Sequence, residues 1–331
     1  MFNIGFDLTA LSNRLTAGFD FYVKNTSDLL VPANWSALVG NASKPSINIG
    51  DMKNRGVDLS IGWRDKVGEF GYNITANISR YKNEVTRLGS SDLFNDTRLS
   101  KVNITTVGQP VGMFYGYQIE GIYQNEQDVI SSGVLPYGVA TENDLVASAW
   151  VGRYKMKDVN NDGKIDADDR TIIGNPHPDL TGGFNISLTW RDFDLSTYMY
   201  YSIGNDLYKH YEYYTMFGNL QSNYSKDRLA KSWDPVNNPN GIYPLWTTTS
   251  TEGPEAGNES NSNYVQDGSY LRMQTLTLGY SLPKKLLKKI GFEKIRVYGQ
   301  ISNVFTITGM MDWIRRFVRI LRSRTNMYQA I

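Results

Sequence analysis

Apolar and polar residues alternate along much of this chain. Residues 3–10 set Ile4, Phe6, Leu8 and Ala10 against Asn3, Gly5, Asp7 and Thr9. Residues 15–24 place Leu15, Ala17, Phe19, Phe21 and Val23 on one side, and Thr16, Gly18, Asp20, Tyr22 and Lys24 on the other. Successive side chains of a strand point to opposite faces, so a period of two predicts strands with one apolar face. The pattern returns at 57–63 (Val57, Leu59, Ile61, Trp63), 72–79 (Tyr72, Ile74, Ala76, Ile78) and 184–190 (Phe184, Ile186, Leu188, Trp190). Segments 193–203, 269–280 and 294–305 are strand-like with looser phase. The pattern predicts about eight strands, antiparallel because alternate links are short.

Those links alternate in length. Ser12-Asn13, 64–69, 191–192 and 281–293 are short, the last with one helical turn expected; 25–52, 82–179 and 204–268 are long. Loops beyond about 12–15 residues are uncommon in compact soluble domains, whereas short turns at one end and long loops at the other mark outer-membrane barrels. The expected fold class is therefore all-β, an antiparallel transmembrane β-barrel portion with long extracellular loops. Residues 112–124 look like a further strand, but a ninth span would put the 191–192 turn on the long-loop side, so 82–179 is read as one outer insertion. Trp63 and Trp190 each precede Arg-Asp near a short turn, and an amphipathic indole suits a membrane interface. Asp58, Asn73, Asn77 and Asp194 would line the lumen. A soluble β-sandwich with both Trp in its core is the competing arrangement, because strand propensity does not separate the two.

Composition narrows the function. The 331 residues carry 34 basic and 33 acidic side chains, a net charge of +1, which offers no broad basic surface to nucleic acid. Cysteine is absent, removing thiol catalysis and thiolate metal sites. No apolar run reaches the roughly 18 residues of a membrane helix, and no signal peptide opens the chain; an exported protein with this start would be a fragment. His177 and His210 are the two histidines, with no metalloprotease spacing and no Ser–His–acid arrangement, so an enzyme is not expected.

One segment carries distinct chemistry. In "DVNNDGKIDADD" (158–169) Asp158, Asn160 and Asp162 occupy positions 1, 3 and 5 of a calcium loop, and Gly163 takes the turn at position 6. The Lys164 carbonyl, Asp166 through water and Asp169 complete an oxygen set suited to Ca²⁺, with Ile165 pointing inward as an anchor. Asp169 is shorter than the usual Glu at position 12, and an Asn/Asp/Gly turn without metal is the competing explanation. Tyr115, Tyr117, Tyr123, Tyr208, Tyr211, Tyr213 and Tyr214 are candidates for contact with a substrate or partner, since flat amphipathic rings stack on sugars at low entropic cost; packing within the loops is their other use.

Several segments together resemble the C-terminal barrel of SusC/RagA-type TonB-dependent outer-membrane receptors. They are "VGQPVGMFYGYQIEGIYQNEQD" (107–128), "DVNNDGKIDADDRTIIGNPHPDLTGGFNISLTWRDFDLSTYMYYSIGNDLY" (158–208), "SWDPVNNPNGIYP" (232–244) and "DGSYLRMQTLTLGYSLPKKLLKKIGFEKIRVYGQISNVFTITG" (267–309). The resemblance implies an outer-membrane importer of oligosaccharides or peptides. Its implied partners are a SusD-like surface lipoprotein, membrane lipid, and the TonB complex acting through an N-terminal region outside this chain. It covers residues 1–309 and departs at 310–331, where five Arg fall within 315–324; that tail reads as an amphipathic basic helix or as out-of-frame sequence. A calcium-stabilised soluble β-domain that binds glycans at the cell surface is the alternative function.

Overall fold

The computed structural model describes residues 1–32, 46–89, 92–97, 100–217, 223–246, 254–283 and 292–310. The expected helical turn within 281–293 falls largely outside them, as does the tail beyond Met310. The chain divides into two compact units. One comprises residues 1–87, 177–205 and 267–331, the other 88–176 and 206–266.

The first unit is one antiparallel sheet of eight strands, β1 (Phe2–Ala10), β2 (Leu15–Pro32), β3 (Ser46–Val67), β4 (Phe70–Arg87), β5 (Leu180–Trp190), β6 (Phe193–Ile203), β7 (Tyr270–Ser281) and β8 (Arg296–Thr308), hydrogen-bonded in chain order. This is the all-β antiparallel arrangement that the alternation predicts. Register carries the alternation across strands. Phe6 faces Phe19, Phe19 faces Leu59 and Leu59 faces Ile78. One level along, Leu8, Ala17, Ile61, Ala76, Phe184, Met199 and Met273 follow one another through successive pairs, ending at Phe305. The opposite face reads Thr16, Gly62, Thr75, Asn185, Tyr198, Thr275 and Ser302. A slip of one residue in any strand would break both faces.

The strands run further than their alternation. β3 has 22 residues, and β2 and β4 have 18 each, so the expected loop 25–52 gives way to paired strand on both sides of residues 33–45. Polar side chains continue the ladder there: Lys53 stands opposite Glu84, Asn54 opposite Asn83, and Arg87 ion-pairs with Asp51 at 2.6 Å. A ladder needs backbone amides, not an apolar face, which is why periodicity did not reveal these extensions. At the other end the expected turn 64–69 shrinks to Gly68-Glu69, with Gly68 at φ +61°, the backbone a two-residue hairpin demands. The Arg191-Asp192 link falls where expected. The first link is longer, Leu11 to Arg14, with Leu11, Ser12 and Asn13 all left-handed.

The second unit joins 88–176 to 206–266, so the segment read as one insertion shares its fold with the next long loop. A four-stranded sheet runs Thr171–Gly174, Met113–Gly116, Ser100–Thr105, Leu93–Thr97. Ribbons Ile119–Ile122 with Tyr154–Met156, and Asp206–Tyr208 with Val265–Asp267, accompany it. Residues 112–124 therefore supply two short strands here and none to the eight-stranded sheet. Helices Glu126–Ser131 and Lys226–Lys231 start on side-chain caps, Asn125 and Ser225. The core is aromatic: Tyr117, Tyr154 and Tyr264 are wholly buried, and Trp233 nearly so.

Candidate functional site

The apolar face of the eight-stranded sheet is exposed within its unit. Ile4, Phe6, Ile61, Leu278 and Ile301 are each 51–61% accessible. Antiparallel sheets of soluble proteins bury such a face, and contiguous apolar patches of this extent mark interaction or membrane surfaces. Near the short turns the same face carries a row of aromatics, since Phe70 pairs with Trp190, Trp190 with Phe193, and Phe193 with Tyr280. Trp190 is exposed, with the Arg191 guanidinium 5.3 Å over its ring. Trp63 sits deeper than its sequence position suggested, because β3 continues to Val67. Its indole N–H donates to the Tyr72 hydroxyl at 3.3 Å, which satisfies the polar atom on an apolar face.

The opposite face is polar and crowded. Asp58, Asn73, Asn77 and Asp194 all lie on it; Ser79 donates to Asp58, and Arg296 grips both oxygens of Asp194. Small residues make room for larger neighbours: a Cβ on Gly56 would come within 2.5 Å of the Tyr22 ring. One apolar face, one polar face and an aromatic row at the turn end define an eight-stranded portion of a membrane-barrel wall.

In the second unit the 158–169 loop folds around its own acids. The Asp158 carboxylate accepts from the amides of Asn161 (2.7 Å), Asp162 and Gly163 (2.8 Å). Asp169 is wholly buried, with its two oxygens taking the amides of Val159 and Asp166 at 2.9 and 2.8 Å. Gly163 has φ +84°, and Ile165 is 3% exposed, its amide bonded to the Leu135 carbonyl at 2.8 Å. The Lys164 ammonium lies 2.6 Å from Asp166 and 3.6 Å from Asp162, holding the Asp166 carboxyl below its ordinary range. Among the described residues no three His, Cys, Asp or Glu side chains converge as a metal site. The acids here are turned onto backbone amides.

The seven candidate tyrosines separate by burial. Tyr117 and Tyr123 are core residues, 0% and 2% exposed, so of their two expected uses they take packing within the loops and not contact with a substrate or partner. Tyr117 packs with Met156 and Ile165, and burying a ring of that size stabilises the unit more than a partial surface contact would. Tyr208 stacks on Tyr264 at 5.3 Å; Tyr115 and Tyr211 are half-buried. Tyr213 and Tyr214 meet edge-on at 5.1 Å, with His210 5.8 Å from Tyr214 and 6.2 Å from Tyr208. Burial pushes the His210 pKa down, favouring the uncharged ring. His210 carries no catalytic pattern in the sequence, but its place two to four residues from Tyr208, Tyr213 and Tyr214 already signals an aromatic cluster.

Comparison with known proteins follows the same line. The chain is 33% identical over 316 residues to TonB-dependent receptor P3 of Formosa agariphila, covering 92% of this chain and 29% of the receptor. It is 27% identical over 324 residues to TonB-dependent receptor SusC of Bacteroides thetaiotaomicron, covering 92% and 28%. Among solved structures, the RagAB peptide importer in its closed-closed state matches with a TM-score of 0.71 at 25% identity, over 93% of this chain and 32% of that one. No protein-family model matches the chain. The chain is homologous to TonB-dependent receptors, SusC among them, as its quoted segments implied, and it spans about a third of the length of the relatives it matches. By name these relatives are receptors and an importer.

Proposed function

We propose that the chain supplies part of the wall and of the outer loops of a TonB-dependent outer-membrane importer of oligosaccharides or peptides, working with a SusD-like surface lipoprotein. The carrying observation is the apolar face that runs through eight registered strands and is exposed at Ile4, Phe6, Ile61, Leu278 and Ile301. In this reading lipid covers that face, the polar face lines the passage, and the half-buried His210, Tyr213 and Tyr214 contact substrate or partner. The exposed Leu229 (71%) and Val236 (84%) are apolar points for the lipoprotein. The absence of cysteine permits a direct test by single-cysteine labelling of the chain reconstituted in lipid. Ile61→Cys and Phe184→Cys should resist a water-soluble maleimide, while Val236→Cys reacts freely. Equal reactivity at all three positions would sink the membrane reading.

Within that function, Asp158, Asn160, Asp162, the Lys164 carbonyl, Asp166 and Asp169 would hold a structural calcium ion. The left-handed Gly163 and the buried Ile165 support the assignment; the carboxylates would have to turn from their amides toward the ion. Millimolar Ca²⁺ should raise the melting temperature of the chain, and Asp158→Ala should abolish the rise. No shift in the unaltered chain counts against the site.

A further inference from the structure

The apolar face changes character at the long-loop end of β3 and β4. Level by level, Leu59 opposite Ile78 gives way to Val57 opposite Arg80, and then to Arg55 opposite Lys82. All three cations are exposed, and unbroken register keeps them on the side that carries Ile61, Ile74 and Ile78, as a period of two requires. Like charges directly opposite each other in a ladder are destabilising, so Arg55 and Lys82 work against the pairing of their own strands. Among the described residues none of the three forms an ion pair. The next acid on this face of β4, Glu84, stands opposite Lys53 and is balanced by it. At the turn end the cations are matched, Arg14 with Asp65 at 3.2 Å and Arg191 with Glu69 at 2.6 Å.

Height and surroundings say what the unmatched cations face. Phe70 belongs to the aromatic row near the short turns, and Lys82 lies twelve residues further along β4. That length of strand rises about 40 Å, or roughly 30 Å across a membrane at the tilt of about 35–45° usual in barrel walls. An outer-membrane apolar band is about 25 Å tall, which puts the three cations at the far interface, level with lipid headgroups. Beside them the same face opens a crevice of about 510 Å³, lined by Leu180, Phe184, Ile203, Leu271 and Ile307 among others. Ser79 pairs with Thr181, so Arg80 comes next to Leu180 at the edge of that crevice. A phosphomonoester carries about −1.5 to −2 charges and three strong acceptor oxygens, a match for two guanidinium groups and one ammonium.

We propose that Arg55, Arg80 and Lys82 hold the phosphate of a phosphorylated membrane lipid, one acyl chain of which lies in the crevice at Leu180, Ile203 and Ile307. The inference rests on the membrane reading of this face and deepens it by naming the lipid chemistry. The two fail separately: equal maleimide labelling at Ile61, Phe184 and Val236 removes the membrane, whereas loss of lipid selectivity with that labelling intact removes this site alone.

The test is native mass spectrometry of the full chain in detergent, offered dioleoyl phosphatidic acid or dioleoyl phosphatidylcholine. Phosphatidic acid should remain bound as a one-lipid adduct, and phosphatidylcholine, whose phosphate is capped by a cation, should be retained about tenfold less or worse. The triple variant Arg55→Gln, Arg80→Gln, Lys82→Gln should lose about tenfold or more of the phosphatidic acid, the loss expected for one hydrogen bond to a charged group. Ile203→Trp, which fills the crevice from a half-exposed position (48%), should weaken retention several-fold. Lys24→Gln, which removes a charge from the opposite face of β2, should change nothing. Phosphatidic acid should also raise the melting temperature of the unaltered chain, as any ligand of the folded state does. The lipid-free triple variant should melt no lower than the unaltered chain, since the Arg55–Lys82 repulsion is gone, and should show no rise with the lipid. The proposal is overturned if both lipids are retained equally, if the triple variant keeps phosphatidic acid undiminished, or if Lys24→Gln weakens it as much. Displacement of the lipid by an equal concentration of inorganic phosphate would assign the cations to a free anion and overturn it as well.

Discussion

The two units use hydrophobic residues in opposite ways. In the eight-stranded sheet, phenylalanine, isoleucine and leucine stand in registered rows on a largely exposed face, and among the described residues only Val85 and Tyr201 of the buried hydrophobic residues belong to it. In the second unit the largest wholly buried side chains are Tyr117, Tyr154 and Tyr264, enclosed by irregular chain. The sheet gets its order from a continuous hydrogen-bond ladder and requires a solvent for one face. The second unit makes its own apolar interior, as a soluble domain does. A barrel wall with folded outer loops needs both kinds of stability in one chain.

That contrast can be broken from either side. The largest effect should come from Trp233→Ala. Trp233 is 2% exposed among Ile122 and Tyr154, and its indole N–H donates to Gln124 at 2.9 Å. Losing a packed indole costs about 3–5 kcal/mol, so urea should unfold the second unit first while strand content of the sheet persists. A single cooperative loss of both would show the units to be interdependent.

Next is Ile61→Lys on the apolar face, which should cost roughly 2–4 kcal/mol of folding into lipid, the range for a charge facing mid-bilayer lipid. Ser60→Lys, its neighbour on the polar face, should cost far less. Comparable losses at both positions would mean the faces are not divided between lipid and lumen.

A smaller effect concerns Glu255, 5% exposed, whose carboxylate accepts the Tyr137 amide at 2.6 Å with Glu259 and Arg153 nearby. Burial pushes its pKa from 4.5 up to about 7. The folded unit therefore holds this proton where the unfolded chain has released it, so stability is fully present below pH 4.5 and falls as pH rises to about 7. Roughly 1–3 kcal/mol is at stake, and Glu255→Gln should flatten that part of the stability–pH curve. An unchanged slope would assign the dependence to other groups.

The smallest expected effect is Asn125→Ala. Asn125 caps helix Glu126–Ser131 by accepting the Asp128 amide at 2.9 Å, and loss of such a cap costs about 1 kcal/mol. It should lower the melting point of the second unit alone.

Much of the wall was legible because its chemistry repeats every second residue. The strands around Phe6, Phe19, Ile61, Ile74 and Phe184 could be placed from alternation, and Arg191-Asp192 from its position between two such runs. The extensions of β2, β3 and β4 were not legible, since Lys53, Asn54 and Glu84 sit in ladders that impose no periodicity. Trp63 was placed at a turn because Gly68-Glu69, a two-residue hairpin, lay hidden behind four more paired residues. The tyrosines show the limit most plainly. Tyr117 and Tyr213 read alike in sequence, and only long-range packing sends one to the core and leaves the other half-exposed.

The sequence by itself determined which residues share a face, that the strands are antiparallel, and which family the chain resembles, because these depend on local spacing and residue identity. Tertiary structure alone decided that residues 88–176 and 206–266 make one unit and that Tyr117 and Tyr123 are core. These depend on contacts between segments well separated in sequence, and no local period encodes which distant segment arrives to cover a side chain.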